Sequence, residues 1–126
     1  MTLVTRNTAE LEGTALRHAM AEATGLLEEL RWGVSEIEAL GMCMWTDNHG
    51  CWAPDEDWEI TGPLIIKHQI GLLSPSISPC AEWHASTLHP DFTEFSHPTN
   101  PLIAVCRAIV ASVLGVTVQV PEELIL

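Results

Sequence analysis

The fold is decided by the stretch TNPLIAVCRAIVASVLG, residues 99–115. Asn100 or the threonine before it can cap a helix here, and Pro101 suits the first helical position, where its missing N–H costs nothing. Gly115 is typical of the residue that ends a helix. The only charge between these signals is Arg107. A helix this apolar has to be covered on more than one side, so we expect it to be the central core element.

Weaker patterns surround this helix. Asn7 or Thr8 can cap an N-terminal helix that carries an apolar stripe and ends at Gly25. Turn-forming residues predict a hairpin with its tip near Asn48–Gly50. Residues 26–41 fit either helix or strand. Short strands are predicted at 64–66, 70–73 and Trp83–Ala85, and residues 116–120 alternate like a strand that Pro121 stops. Residues 89–100 are typical of a loop.

Together these patterns predict an α+β fold in which two main helices pack on a small, mostly antiparallel sheet. The chain of 126 residues fits a single domain over residues 1–126. No run of about 18 uncharged apolar residues occurs, and the N-terminus lacks a signal-peptide core, so we expect no membrane partner and a cytoplasmic location. The apolar excess of the last helix also predicts a homo-oligomer.

The charge balance restricts the classes of partner. Formal net charge is −12, with 17 acidic and 5 scattered basic residues, and this argues against direct binding to nucleic acid, which needs clustered Lys and Arg. An acidic surface can simply aid solubility, or it can engage a basic protein. None of the four cysteines forms a C-x-x-C pair, so we expect reduced thiols.

Three segments together resemble the NinX family, small proteins encoded in lambdoid phages and prophages. They are Leu11-x-Gly13-x-Ala15-Leu16-x-x-Ala19-x-Ala21; Trp52-x-Pro54-x-x-Asp57-Trp58 with Gly62-Pro63-x-Ile65 and Ile70; and Trp83-x-Ala85 with Pro98-Thr99-x-Pro101-Leu102-Ile103-Ala104, Arg107, Val110, Leu114-Gly115 and the segment from Val116 to Glu122. Family members tend to carry an acidic-aromatic pair where Arg17-His18 stand here, and residues 26–50 are longer than the family pattern. The resemblance implies a phage or prophage origin and hence the host bacterial cytoplasm, and it implies no reaction.

The tryptophans are the first candidate ligand residues. Trp52, Trp58 and Trp83 lie beside turns, where they either fill a small core or stack on a base or another planar ligand. Asp57 would then accept a hydrogen bond from a ribose hydroxyl or an amine. The start of the last helix is the second candidate, because free N–H groups there attract anions. Three residues would hold phosphates at this end: Thr99, Asn100 and Arg107.

Metal and catalytic patterns are weak. His49-x-Cys51 and Cys80-x3-His84-x4-His89 contain zinc-type ligands, but their spacings match no finger or ribbon, so we expect no metal. Cys80 and His84 with Asp91 or Glu94 could be drawn as a Cys–His site, yet no standard catalytic motif is present. We therefore expect a non-enzymatic phage accessory protein without a cofactor. It binds a nucleotide-like small molecule or, alternatively, uses its acidic charge to engage a basic host protein.

Overall fold

The computed structural model describes residues 2–27, 31–34, 42–46, 50–88 and 92–125. Within these ranges the helices are α1 (Gly13–Thr24), α2 (Trp58–His68) and α3 (Pro101–Leu114). The strands are β1 (Leu3–Asn7), β2 (Arg31–Val34), β3 (Met42–Thr46), β4 (Gly50–Cys51), β5 (Gly71–Leu73), β6 (Trp83–Thr87), β7 (Thr93–His97) and β8 (Thr117–Pro121). Short 3-10 turns span Thr8–Glu10 and Glu122–Leu124.

The described strands pair antiparallel and form three small sheets. Strand β1 pairs with β8, so that Leu3 lies opposite Pro121 and the two ends of the chain meet. Strands β2, β3 and β4 form the second sheet, and β5, β6 and β7 form the third. In the third sheet Trp83 lies opposite His97. Helices together with small antiparallel sheets confirm the predicted α+β class.

Helix α3 forms the centre of the core, as its sequence predicts. Nine of its fourteen residues are buried, from Leu102 to Ala111 with the exception of Ile103. Strands β6 and β7 cover one side, and α1 and α2 provide further contacts. The predicted ends are also confirmed, because the Asn100 side chain caps the first turn and Gly115 follows the last turn with a φ of 99°. Helix α3 is therefore the central element against which the sheet and the other helices pack.

Helix α2 corrects the prediction that residues 64–66 form a strand. Asp57 caps the helix by accepting a hydrogen bond from the Glu59 N–H at 2.9 Å. Ile60, Leu64 and Ile65 recur at helical spacing and pack against the core. Pro63 lies inside the helix, where it forgoes one backbone hydrogen bond. The burial of this apolar face outweighs the break that Gly62-Pro63 indicates in the sequence.

The segment 89–100 also differs from the predicted loop, because residues 93–97 form β7. Phe95 is the buried residue of this strand, and its cross-strand partner is Ala85. The N-terminal helix is shorter than predicted: β1 and a 3-10 turn occupy residues 3–10, and α1 starts at Gly13. Its predicted end is confirmed, since Gly25 adopts the left-handed conformation. Strands β5, β6 and β8 follow the expected segments.

The hairpin predicted around residues 48–50 matches the antiparallel pairing of β3 with β4. Its tip, residues 47–49, lies outside the described residues. Within the ambiguous segment 26–41 the structure describes β2, which pairs with β3. Among the described helices, none combines the length and the apolar character that crossing a bilayer requires.

His18 on α1 should make stability depend on pH. Burial lowers the pKa of its imidazole below the ordinary value of 6.5, and nearby Glu22 partly opposes this effect. As pH falls through 6.5, the unfolded chain therefore takes up this proton before the folded chain does, and the folded state loses stability. A His18→Gln variant lacks this titration. As pH falls from about 8 to about 5.5, we expect the free energy of unfolding of the variant to rise relative to that of the native chain. Urea denaturation at each pH would measure both values. If the difference in free energy of unfolding between the variant and the native chain stayed constant over this interval, the lowered pKa of His18 would be contradicted.

Candidate functional site

A buried ion pair anchors the loop that leads into α2. Arg17 on α1 donates from Nε to Asp55 Oδ1 at 2.7 Å, and its Nη2 lies 3.4 Å from Asp55 Oδ2. The side chains are 14% and 7% exposed, respectively. A second, longer contact of 3.5 Å joins Arg17 to the exposed carboxylate of Glu56. These contacts tie the loop to α1 just before Trp58.

The same loop is tied to the start of α3. Asn100 donates from Nδ2 to the backbone oxygen of Asp55 at 3.0 Å. Its Oδ1 accepts from the backbone N–H groups of Leu102 and Ile103, at 2.9 and 3.4 Å. Since Pro101 has no N–H, the groups that the predicted anion site depends on already serve this cap. A phosphate at this end of α3 would have to displace the side chain of Asn100.

The histidine before the cap stabilises the approach to α3. His97 Nδ1 accepts from the backbone N–H of Asn100 at 2.9 Å and from that of Thr99 at 3.2 Å. Thr99 itself is exposed, and Trp83 lies opposite His97 on the neighbouring strand, half-buried. The structure therefore brings Trp83, Thr99 and Asn100 into one neighbourhood.

The candidate tryptophans occupy three different environments. Trp52 is 3% exposed and belongs to the core. Of the two roles considered for this residue, its position fits core packing rather than stacking on a ligand. Trp83 is half-buried in β6. Trp58 is 51% exposed and is the first residue of α2. Of these three, Trp58 offers the largest accessible ring surface. Its neighbour Asp57 is half-buried and uses one carboxylate oxygen to cap the helix.

Arg107 is placed inside the protein rather than at the helix start. It is 6% exposed. Its Nε donates to the backbone oxygen of Leu11 at 2.9 Å, and its Nη1 donates to that of Ser96 at 2.7 Å. A weaker contact of 3.4 Å reaches the exposed carboxylate of Glu12. Burial lowers the pKa of the guanidinium, and the charge of Glu12 opposes this. The contacts described for Arg107 thus join α3 to β7 and to the turn before α1.

The charge around Trp58 is negative. Glu56, Asp57 and Glu59 flank it in the chain, and the side chain of Glu56 is 69% exposed. Arg17, the cation that contacts the preceding loop, already pairs with Asp55 and Glu56. We call Glu56, Asp57, Trp58 and Glu59 the Trp58 surface. Sequence reasoning missed Arg17 and Asp55, which support this surface, because Asp55 lies in a run of acids that resembles an exposed loop.

The metal patterns gain no support from the part of the chain that the structure describes. No group of three or more His, Cys, Asp or Glu side chains is arranged to hold a metal ion there. His49 and His89 lie outside the described residues. Of the cysteines whose side chains are described, Cys80 is exposed and Cys106 is buried, and both are free thiols, as expected.

Comparison with known proteins gives one clear result. A family model described as "Bacteriophage P22, NinX" matches residues 7–113. No curated protein matches the chain. The family match spans most of the sequence, from the last residue of β1 almost to the end of α3. The chain therefore belongs to the P22 NinX family of phage proteins, which confirms the resemblance seen in its sequence.

Proposed function

We propose that this NinX-family protein is a non-enzymatic accessory factor that engages a basic protein in the host cytoplasm through its Trp58 surface. The observation that supports this proposal is an exposed tryptophan, Trp58, set among three acidic residues. Tryptophan is enriched among the residues that dominate binding energy in protein interfaces. Acidic side chains around it favour a partner that carries Lys or Arg.

The support beneath this surface strengthens the proposal. Asp57 caps α2, and the Arg17–Asp55 ion pair and the Asn100 bond hold the preceding loop. A preformed surface loses little conformational entropy on binding, so more of its contact energy contributes to affinity. The net charge of −12 would also speed the approach of a basic partner at low salt.

A nucleotide-like ligand is the second candidate, and the same exposed ring favours it. Trp58 could stack on a base, and Asp57 beside it could accept from a sugar hydroxyl. The phosphates are harder to place. Arg17 contacts Asp55 and Glu56, Arg107 is buried against backbone carbonyls, and the first N–H groups of α3 are capped. Three acidic residues near Trp58 would repel a phosphate. The geometry therefore favours the basic protein.

Trp58→Ala should weaken binding of a basic partner while leaving the fold intact. The probe is a short synthetic peptide rich in Lys and Arg, titrated calorimetrically and by tryptophan fluorescence. We expect a loss of about tenfold or more in affinity, because truncating a central interface tryptophan costs roughly 2 kcal/mol. Binding by the native chain should also weaken as salt is raised, since exposed charges are screened.

Two matched variants control this experiment. Phe92→Ala removes another exposed aromatic side chain that lies outside the Trp58 surface, and it should leave peptide affinity unchanged. Glu59→Gln should reduce affinity more than Glu122→Gln, although both change the charge of an exposed residue equally. Equal effects of Trp58→Ala and Phe92→Ala would overturn the proposal. Salt-independent quenching of Trp58 by adenosine or guanosine, with no response to the peptide, would establish the second candidate instead.

A further inference from the structure

The solvent-facing side of α2 carries two large apolar side chains on one row. Trp58 is the first residue of the helix, and Ile66, in its last turn, is 81% exposed. They are eight positions apart with Gly62 midway, and residues spaced by four lie on the same row of a helix. The core contacts of α2 come from its opposite side. Both side chains are therefore available to a partner.

A charge pattern runs along the neighbouring row of the same helix. Glu59 and Lys67 are exposed and again eight positions apart, with Pro63 midway. Neither charged side chain has an ion-pair partner among the residues that the structure describes. The exposed side of α2 is therefore acidic at its start and basic at its end, and each end also carries one large apolar side chain.

These two rows make the exposed side of α2 complementary to itself. Each row spans about 12 Å, given a rise of about 1.5 Å per residue, and the midpoints of the rows, Gly62 and Pro63, are adjacent. A second copy of α2 that lies antiparallel across these midpoints brings unlike ends together. The tryptophan of each copy then faces the isoleucine of the other, and the acidic end of each copy faces the basic end of the other.

The middle of the exposed side allows two helices to approach closely. Gly62 has no side chain, and a β-carbon at this position would meet no other part of the chain within 4 Å. Rows of residues spaced by four are also the ridges that pack into grooves in the commonest class of helix pairs. Helix α2 can therefore receive a second copy of itself without a rearrangement of the chain.

We propose that this protein self-associates through α2 as a twofold pair, with the two helices antiparallel and Gly62 at their crossing. Trp58 of each copy packs on Ile66 of the other, and Glu59 of each copy pairs with Lys67 of the other. The homo-oligomer that the sequence predicts from α3 thus forms at α2, since nine of the fourteen residues of α3 are buried within their own chain.

The pair is weak, because one helix face from each chain gives an interface at the small end of the known range. We expect a micromolar Kd. The pairing goes beyond the proposed function and does not rest on it. Because the pair covers Trp58, self-association and the binding of a basic partner exclude each other at this helix.

Sedimentation velocity of the full chain, from low to high micromolar concentration, tests this pair. Salt at about 0.15 M screens the repulsion between two chains of net charge −12, while charges in contact still attract. We expect a monomer that converts to a dimer as concentration rises. Glu59→Lys and Lys67→Glu should each weaken the dimer about tenfold or more, because each turns two attractive contacts into repulsive ones.

A mixture of these two variants should associate again, because the introduced lysine then faces the introduced glutamate and the second contact keeps its native charges. Glu59→Lys also makes the chain less acidic, which by itself would favour association. A weaker dimer for this variant therefore reports the local contact and not the net charge.

Ile66→Ala should also weaken the dimer, and Ile77→Ala is its matched control. Ile77 is 69% exposed and lies outside α2, so its truncation should leave self-association unchanged. Both side chains are exposed, so neither change threatens folding, which circular dichroism would verify. A chain that stays monomeric, a mixture that associates no better than its components, or equal effects at Ile66 and Ile77 would overturn the pair. Lys67 and Ile66 lie outside the Trp58 surface, so such a result leaves the binding of a basic partner unaffected.

Discussion

Arg107→Met should lower the free energy of unfolding by about 2–4 kcal/mol, a large part of the stability of a small domain. The guanidinium is 6% exposed and donates to the backbone oxygens of Leu11 and Ser96. Methionine fills similar space but offers no donor, so both oxygens lose their partner, and each unsatisfied buried acceptor costs about 1–3 kcal/mol. Urea denaturation with a constant m-value would measure the loss.

Two further variants separate the carbonyl bonds from the ion pair. Arg107→Lys keeps the charge but lacks the planar fork that serves two oxygens at once, so we expect an intermediate loss. Glu12→Gln should cost less than about 1 kcal/mol, because the Glu12 carboxylate is 65% exposed. If Arg107→Met cost no more than Glu12→Gln, the structural role of Arg107 would be wrong. A loss of nucleotide binding at unchanged stability would instead support its predicted phosphate role.

Helix α3 could be predicted from sequence because every signal that defines it is local. The cap, the proline at the first position, the apolar face and the final glycine all lie within residues 99–115. The β1–β8 pair could not be predicted in this way. Its partners, such as Leu3 and Pro121, are separated by nearly the whole chain, and nothing local specifies such a register.

Helix α2 shows how packing overrides a local signal. Gly62-Pro63 indicates a break, yet the helix continues through both residues because Ile60, Leu64 and Ile65 pack on the core. Strand β7 was missed for a related reason. It is only five residues long, and Phe95 is its one buried residue. That burial depends on the packing of α3 against the sheet, which the local sequence does not show.

The candidate site was only partly predictable. Trp58 and Asn100 are both among the residues that the sequence suggests as ligand contacts, and the structure joins their segments through the backbone of Asp55. Burial could not be read from residue type, so Trp52 and Arg107 entered the site prediction although both lie inside the protein. A lone charge on an apolar helix was the available signal for Arg107, since such a charge must find buried partners.

Asp55→Ala should destabilise the protein by about 3–5 kcal/mol, the range for removing one partner of a buried ion pair. The Arg17 guanidinium would stay largely buried without the carboxylate that lies 2.7 Å from it, while the longer contact with Glu56 remains. The double variant Arg17→Met with Asp55→Ala should recover much of this loss, because no uncompensated charge remains. A double-mutant cycle by urea denaturation would measure the coupling free energy between the two side chains.

Glu56→Gln is the control for this cycle, and it should cost less than about 1 kcal/mol because Glu56 is mostly exposed. Equal costs for Asp55→Ala and Glu56→Gln would show that the Arg17–Asp55 pair contributes no more than a surface contact. The variants also distinguish a residue that stabilises the loop from a residue that contacts the peptide. Asp55→Ala should weaken peptide binding together with stability, since it loosens the loop before α2, whereas Trp58→Ala should weaken binding at nearly unchanged stability. That contrast follows directly from a buried carboxylate and an exposed ring only three residues apart.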